Sequence, residues 1–233
     1  MAMEVKRGAI PSPRHELAAA TPHVALAHVP AHHLFFPKKL SIWHNDVHGD
    51  CVTAEEAFAK ACHKPEIFIT DAEVEKWAKA HGVYEGAVLI NVLKAMQKEG
   101  FSQSDRTYDD GAPSTVDWTN PAVLKSALYH GPVKIGVAAD QLETTCRAHS
   151  FKTGWFATGY TQDNNEDHCV SLCGYGTMTW LAHQLDTSVP QGVDGSKPGY
   201  AMFTWGSIGI IDVPSMVAIT HEAWLRTPTT VVV

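Results

Sequence analysis

The apolar pattern of this chain changes period once, near residue 116, and that change limits the folds open to it. Before it, apolar residues recur at helical spacing. Residues 51–62 are rich in helix formers and place Ala54, Ala57, Phe58 and Ala61 on one face. Asp50 is the natural N-cap, which puts Cys51 in the first turn. Thr70-Asp71-Ala72-Glu73 reads as a capping box opening a helix that carries Val74, Trp77 and Ala78. A further helix carries Val88, Leu89, Val92, Leu93 and Met96 and stops at Gly100. After the change, Asn120-Pro121 starts a short helix that leads through Gly131-Pro132 into an alternating strand at 133–137. Strands follow at 168–173, 199–204 and 207–212, the last two joined at Trp205-Gly206. Residues 215–225 read as a closing amphipathic helix. Residues 1–40 hold Pro11, Pro13, Pro22, Pro30 and Pro37 with no sustained period, the pattern of an extended arm. The expectation is an α+β chain: an arm over 1–40, a helical subdomain over 41–115 and a β-rich subdomain over 116–233.

Composition narrows the function classes. The 233 residues are 45% hydrophobic, enough for a buried core. With 18 Lys+Arg against 25 Asp+Glu there is no basic excess, so no nucleic-acid partner is expected. No window approaches the roughly 18 apolar residues of a membrane span. The start, Met1 to Arg7, is charged with no apolar stretch behind it, which favours synthesis and residence in the cytoplasm. Five cysteines, an odd number at irregular spacing, leave at least one thiol outside any intrachain disulfide, so a working thiol fits better than a disulfide scaffold. Seven of the 14 histidines fall within the first 48 residues. Of these, His28, His32 and His33 have spacings a helix could use for metal, but Pro30 interrupts them and they match no named zinc motif. Neither a metal nor another cofactor is expected.

Two residues carry the chemistry. A thiol in the first turn of a helix sits near the positive end of the helix dipole and unpaired N–H groups, which favours its thiolate. Cys51 has that setting and Cys62 does not. A base must come from elsewhere, and His168 opens a strand just after the polar loop 161–167, where it can project into a groove between the halves. Taken singly, Cys51 reads equally well as a small buried helix residue and His168 as a satisfied strand-end histidine. Cys169 and Cys173 share a strand face about 13 Å apart, too far for a disulfide or a common metal. Glu55, Glu56 and the Asp109-Asp110 pair read as solvated charges.

Five blocks in order give the chain a resemblance to the papain-like cysteine peptidases. Asn45-Asp-Val-His-Gly-Asp-Cys51 resembles the family's Gln-x-x-x-x-x-Cys segment. Glu85-Gly86 resembles the glycine element of the substrate groove, and residues 131–138 resemble the Gly-Pro-Val strand. Residues 167–176, Asp-His-Cys-Val-Ser-Leu-Cys-Gly-Tyr-Gly, are similar to the Asp-His-Ala-Val-x-x-x-Gly-Tyr-Gly strand, and Tyr200 to Gly206 resembles the strand ending in Asn-Ser-Trp-Gly. The resemblance implies a compact, divergent papain-like fold, of microbial or phage type, with a helical half carrying the nucleophile packed on an antiparallel β half and a cleft between. It implies Cys51 as nucleophile, His168 as acid and base, Asn45 as an oxyanion donor, Gly86, Gly136 and Cys169 along the groove, and Trp205 shielding the histidine. Asn45 stands where the family has glutamine, one methylene longer. Phe203 falls where the family's asparagine orients the histidine, and a phenyl ring makes no such hydrogen bond. Thr204 would serve if a one-residue bulge brought its hydroxyl into place. The activity implied is hydrolysis of a peptide or amide bond in a peptide or protein substrate, with an inactive papain-like binding protein or a thiol acyltransferase as alternatives.

Overall fold

The computed structural model describes residues 3–233. In chain order these form β1 (Ala9–Ile10), α1 (Arg14–Ala19), β2 (His33–Leu34), α2 (Cys51–Ala61), α3 (Asp71–Ala80), β3 (Ala87–Val88), α4 (Leu89–Lys98), β4 (Phe101–Gln103), β5 (Arg106–Asp109), β6 (Ala112–Thr115) and α5 (Pro121–His130). The second half adds β7 (Val133–Val137), α6 (Asp140–Ala148), β8 (Phe156–Ala157), β9 (His168–Thr177), α7 (Met178–Gln184), β10 (Pro198–Thr204), β11 (Ser207–Asp212), α8 (Val213–Ile219), β12 (Thr220–Thr227) and β13 (Val231–Val232). The expected α+β class holds. No helix among the described residues is long and apolar enough to cross a membrane.

Strand β9 is the axis of the molecule. The main sheet runs β6-β12-β7-β9-β10-β11-β8, with β2 also paired to β9. Its pairings are antiparallel except β8 on β11. One face packs on the helical half, where Phe58, Val74, Leu89, Val92 and Met96 bury against Cys169, Cys173 and Phe203. The other face buries Val170, Leu172 and Met202 against Leu124, Leu142, Met216 and Ile219. With both faces covered, β9 and its neighbours have no solvated side, so their apolar runs are nearly continuous. Local signals start the helices as the sequence suggests. The Thr70 hydroxyl accepts the Glu73 N–H, and the Asn120 side chain accepts from Ala122 and Val123.

Three readings are corrected. Residues 215–225 are not one helix: the chain turns helical only to Ile219, and from Thr220 it becomes β12, wedged between β6 and β7. Two sets of ladder bonds and burial of Trp224 and Leu225 outweigh the helical period there. The arm is not extended throughout, since it holds the helix α1 besides two short strands.

The third correction concerns Glu55, Glu56 and Asp110, which are buried rather than solvated. They meet Lys60, Lys134 and Arg226, also buried, while burial and the neighbouring Glu56 raise the Asp110 carboxyl well above its ordinary range. Lys134 Nζ lies 2.5 Å from Glu56 and 3.1 Å from Glu55, Arg226 lies 2.9 Å from Glu55, and Lys60 lies 2.5 Å from Asp110. Burial alone would raise the Glu56 carboxyl, yet Arg226 and Lys134 hold it below the usual carboxylate range. The Lys134 ammonium also donates to the Val52 carbonyl at 2.8 Å, tying β7 to the first turn of α2.

Candidate active site

Cys51 is the first residue of α2, behind Asp50 in the N-cap position. The Asp50 side chain makes no cap, and burial raises its carboxyl to about 8. The backbone carbonyl of Asp50 accepts the Thr53 and Ala54 N–H groups instead, which is enough to start the helix. Cys51 is 2% exposed. Burial pushes its thiol up to about 12, against hydrogen bonds from the Cys169 and Gly8 backbone N–H groups that pull it down. The other four cysteines are also free and buried.

His168 opens β9 and is 1% exposed. Its Nε2 lies 2.8 Å from Thr204 Oγ1, and its Nδ1 is buried with no hydrogen-bond partner. The indole of Trp205 stacks on the ring, with centroids 4.3 Å apart and planes within 15°. A register shift makes this possible. Tyr200 pairs with Tyr175 but Met202 pairs with Leu172, so β9 spends one more residue than β10 between these pairs. Opposed residues of an antiparallel pair share a face, and the extra residue switches which face each β10 side chain takes. Thr204 thereby joins the face of His168. Phe203 turns to the helical half, where it stacks on Phe58 with centroids 3.9 Å apart. Burial and the positive charge of Arg7 lower the His168 imidazole to about 3.

Asn45 is buried beside the same helix end and donates its side-chain N–H to the His48 carbonyl at 3.0 Å. It follows Trp43 and His44, both at positive φ (47° and 66°), a tight bend between the arm and α2. Gly86, at φ 137°, and Gly49 flank the arm: a side chain on either would meet the backbone of Gly8 or Arg7. Gly136 pairs with Cys169, and a side chain there would collide with Glu166 Oε1.

Residues 6–12 of the arm run past Asn45, Gly49 and Gly86, and the sequence carried no pattern that marks them. The Lys6 N–H donates to the Asn45 carbonyl, the Ala9 N–H to the Asp167 carbonyl, and the Ala87 N–H to the Gly8 carbonyl. β1 and β3 then pair in parallel. Gly8 sits so close to Gly49 that a Cβ on it would fall 1.8 Å from the Gly49 carbonyl oxygen, so only glycine fits. Arg7 is held by Asp140, Glu143 and Asp167 at 2.5–2.6 Å. The Trp205 indole N–H donates to the Lys6 carbonyl, and the Ser12 N–H to Glu222 Oε1. Glu222 is buried against Glu166, and burial together with this neighbour raises the Glu166 carboxyl to about 9. With the arm seated, thiol and imidazole are both shielded from solvent and both neutral.

No protein-family model matches the sequence, and no curated protein matches it. Solved structures do. The chain superposes on the proform of the ragweed pollen cysteine protease Amb a 11 with a TM-score of 0.60 at 11% identity, over 91% of this chain and 73% of that one. It superposes on procathepsin L2 from the larval midgut of Tenebrio molitor with a TM-score of 0.61 at 12% identity, over 97% of this chain and 79% of that one. With the cysteine protease and lectin-like domains of Cwp84 from Clostridium difficile the TM-score is 0.62 at 10% identity, over 99% of this chain and 57% of that one. The β9 strand beginning at His168, laid against a helix beginning at Cys51, thus belongs to a papain-like fold.

Proposed function

We propose that this chain is a thiol hydrolase of peptide or amide bonds, described here in a conformation closed by its own arm. The observation that carries the reading is His168 between Thr204 and Trp205. An imidazole that donates Nε2–H to Thr204 keeps its lone pair on Nδ1, and Nδ1 has no other partner. Cys51 lies at the end of the neighbouring helix with two backbone N–H groups on its sulfur. When the arm withdraws, the burial and the Arg7 charge that disfavour imidazolium go with it. The thiol proton then passes to Nδ1, giving the thiolate and imidazolium pair.

In this reading the Cys51 sulfur bonds to the substrate carbonyl carbon, and the electron pair of the C=O moves to oxygen. The Cys51 backbone N–H and the second N–H of the Asn45 amide hold that oxyanion. His168 returns its proton to the leaving nitrogen as the C–N bond breaks. Water then adds to the thioester, with His168 as base, and releases the acid and the thiol. Thr204 and Trp205 position the ring. Gly86, Gly136 and Cys169 line the groove that the arm now fills. Five free thiols support residence in a reducing compartment such as the cytoplasm.

The test uses Gly8→Ala, which drives the arm off Gly49, assayed on a fluorogenic peptide library. The reading expects turnover that Cys51→Ala and His168→Ala each abolish. Peptide binding without turnover in the opened variant would replace it with a binding protein.

A further inference from the structure

The arm meets the candidate active site through consecutive backbone groups, as a bound peptide would. The Gly8 N–H donates to the Cys51 sulfur, the Lys6 N–H to the Asn45 carbonyl, and the Ala9 N–H to the carbonyl of Asp167, the residue before His168. The Trp205 indole N–H donates to the Lys6 carbonyl. Arg7 therefore stands between two residues held by the proposed catalytic groups, and the peptide group at the sulfur is the one joining Arg7 to Gly8. Its guanidinium enters a set of three carboxylates. Nη1 donates to Asp140 at 2.5 Å and to Asp167 at 2.6 Å, while Nη2 and Nε donate to Glu143 Oε2 at 2.6 and 3.1 Å. The fold fixes these acids around His168, because Asp167 leads into β9 and Asp140 and Glu143 share the first turn of α6. Asp167 is pinned further by accepting the Ala139 N–H at 3.1 Å.

Three carboxylates alone would be an acidic patch, but here an occupant defines them: a guanidinium carried on a backbone bonded to the thiol. Without it their charge is uncovered. Arg147 also pairs with Glu143, so two guanidinium groups face three carboxylates while the arm is seated, and one when it withdraws. The opened pocket attracts a cation. A planar guanidinium can reach all three acids at once through its fork of donors, whereas an ammonium is a point charge. We propose that Asp140, Glu143 and Asp167 form the specificity pocket of this chain, selecting peptides with an arginine next to the bond brought to Cys51. Cleavage of that bond rests on the proposed hydrolase activity, while the choice of arginine is made by binding. A substrate arginine in this pocket opposes the imidazolium as Arg7 does, which favours passage of the His168 proton to the leaving nitrogen.

Binding is therefore read apart from cleavage. The full chain with Gly8→Ala and Cys51→Ala is titrated at constant ionic strength with dansyl-labelled Ala-Ala-Ala-Arg-Gly-Ala-Ala, following fluorescence anisotropy. The same peptide with lysine, or with the neutral isostere citrulline, replaces it in parallel titrations. Arg7→Glu with Cys51→Ala, which drives the arm off by charge repulsion instead of a backbone clash, is a second opened background. The arginine peptide should saturate with a Kd of about 0.01–0.5 mM, the lysine peptide should bind about threefold more weakly, and the citrulline peptide at least about tenfold more weakly. Asp140→Asn and Glu143→Gln should each cut the preference for arginine over citrulline about threefold or more, with Glu99→Gln, at the end of α4, as the unchanged control. Equal affinity for the arginine and citrulline peptides would overturn the pocket. So would a preference that neither carboxylate variant alters, or no saturable binding of any peptide in either background. With Cys51 restored, selective binding without cleavage would overturn the hydrolase and leave the pocket standing; cleavage indifferent to arginine would do the reverse.

Discussion

Thr204 reaches His168, with 2.8 Å between Oγ1 and Nε2, because β9 carries one residue more than β10 opposite it. Remove that residue and Phe203, not Thr204, would share the histidine's face. Thr204 is buried, so water cannot replace its hydroxyl cheaply.

Thr204→Val keeps the shape and removes the hydroxyl. In an opened background such as Gly8→Ala, kcat/KM should fall about 10- to 100-fold, or about 1.4–2.8 kcal/mol, carried by kcat rather than KM. Steady-state kinetics on a peptide substrate check this. Unchanged kcat would mean that Thr204 does not orient the ring.

Lys134 is surrounded by Glu55 and Glu56 inside the molecule. Lys134→Met leaves two buried carboxylates short of one cation and should cost about 3–5 kcal/mol in urea unfolding. Lys76→Met, which breaks an exposed pair with Glu73, should cost less than about 1 kcal/mol. Equal costs would show that the buried charges are not a coupled set.

Glu166 gives the fold a pH dependence of unusual sign. Its carboxyl is raised from the ordinary 4.5 to about 9, so between these values the folded chain holds a proton that the unfolded chain has released. Stability must therefore fall as pH rises across that window and level off above it. Glu166→Gln removes the penalty. Its Tm relative to the parent should climb from pH 5 to pH 9, by about 2–4 °C for each kcal/mol recovered. A Tm difference that stays flat with pH would remove Glu166 from the account.

The two halves were legible in the sequence wherever one element carried its own signal. Thr70 and Asn120 cap their helices, and β7, β9, β10 and β11 alternate or run apolar between turn residues. Distance along the chain hid the rest. Glu55 and Glu56 look like surface charges until Lys134 and Arg226 arrive from the other half. Residues 215–225 read as one amphipathic helix, and from Thr220 pairing with β6 and β7 makes the chain a strand. In the site, motif order singled out Cys51, His168 and Trp205, and the short step from Phe203 to Thr204 drew attention to a hydroxyl. Gly8 and Arg7 left no such trace. One glycine has no period, and the carboxylates that hold Arg7 come from residues 140–167.

The measurement closest to the central claim is the rate at which iodoacetamide alkylates each cysteine at neutral pH, read by peptide mass spectrometry in the parent and in Gly8→Ala. In the parent, Cys51 is covered by Gly8 and its thiol stands near 12, so it should label slowly. In Gly8→Ala it should label at least about tenfold faster, ahead of Cys62, Cys146, Cys169 and Cys173, and His168→Ala should cancel the gain. If Cys51 in the opened variant labels no faster than Cys62, the chain has no activated thiol and the account is wrong.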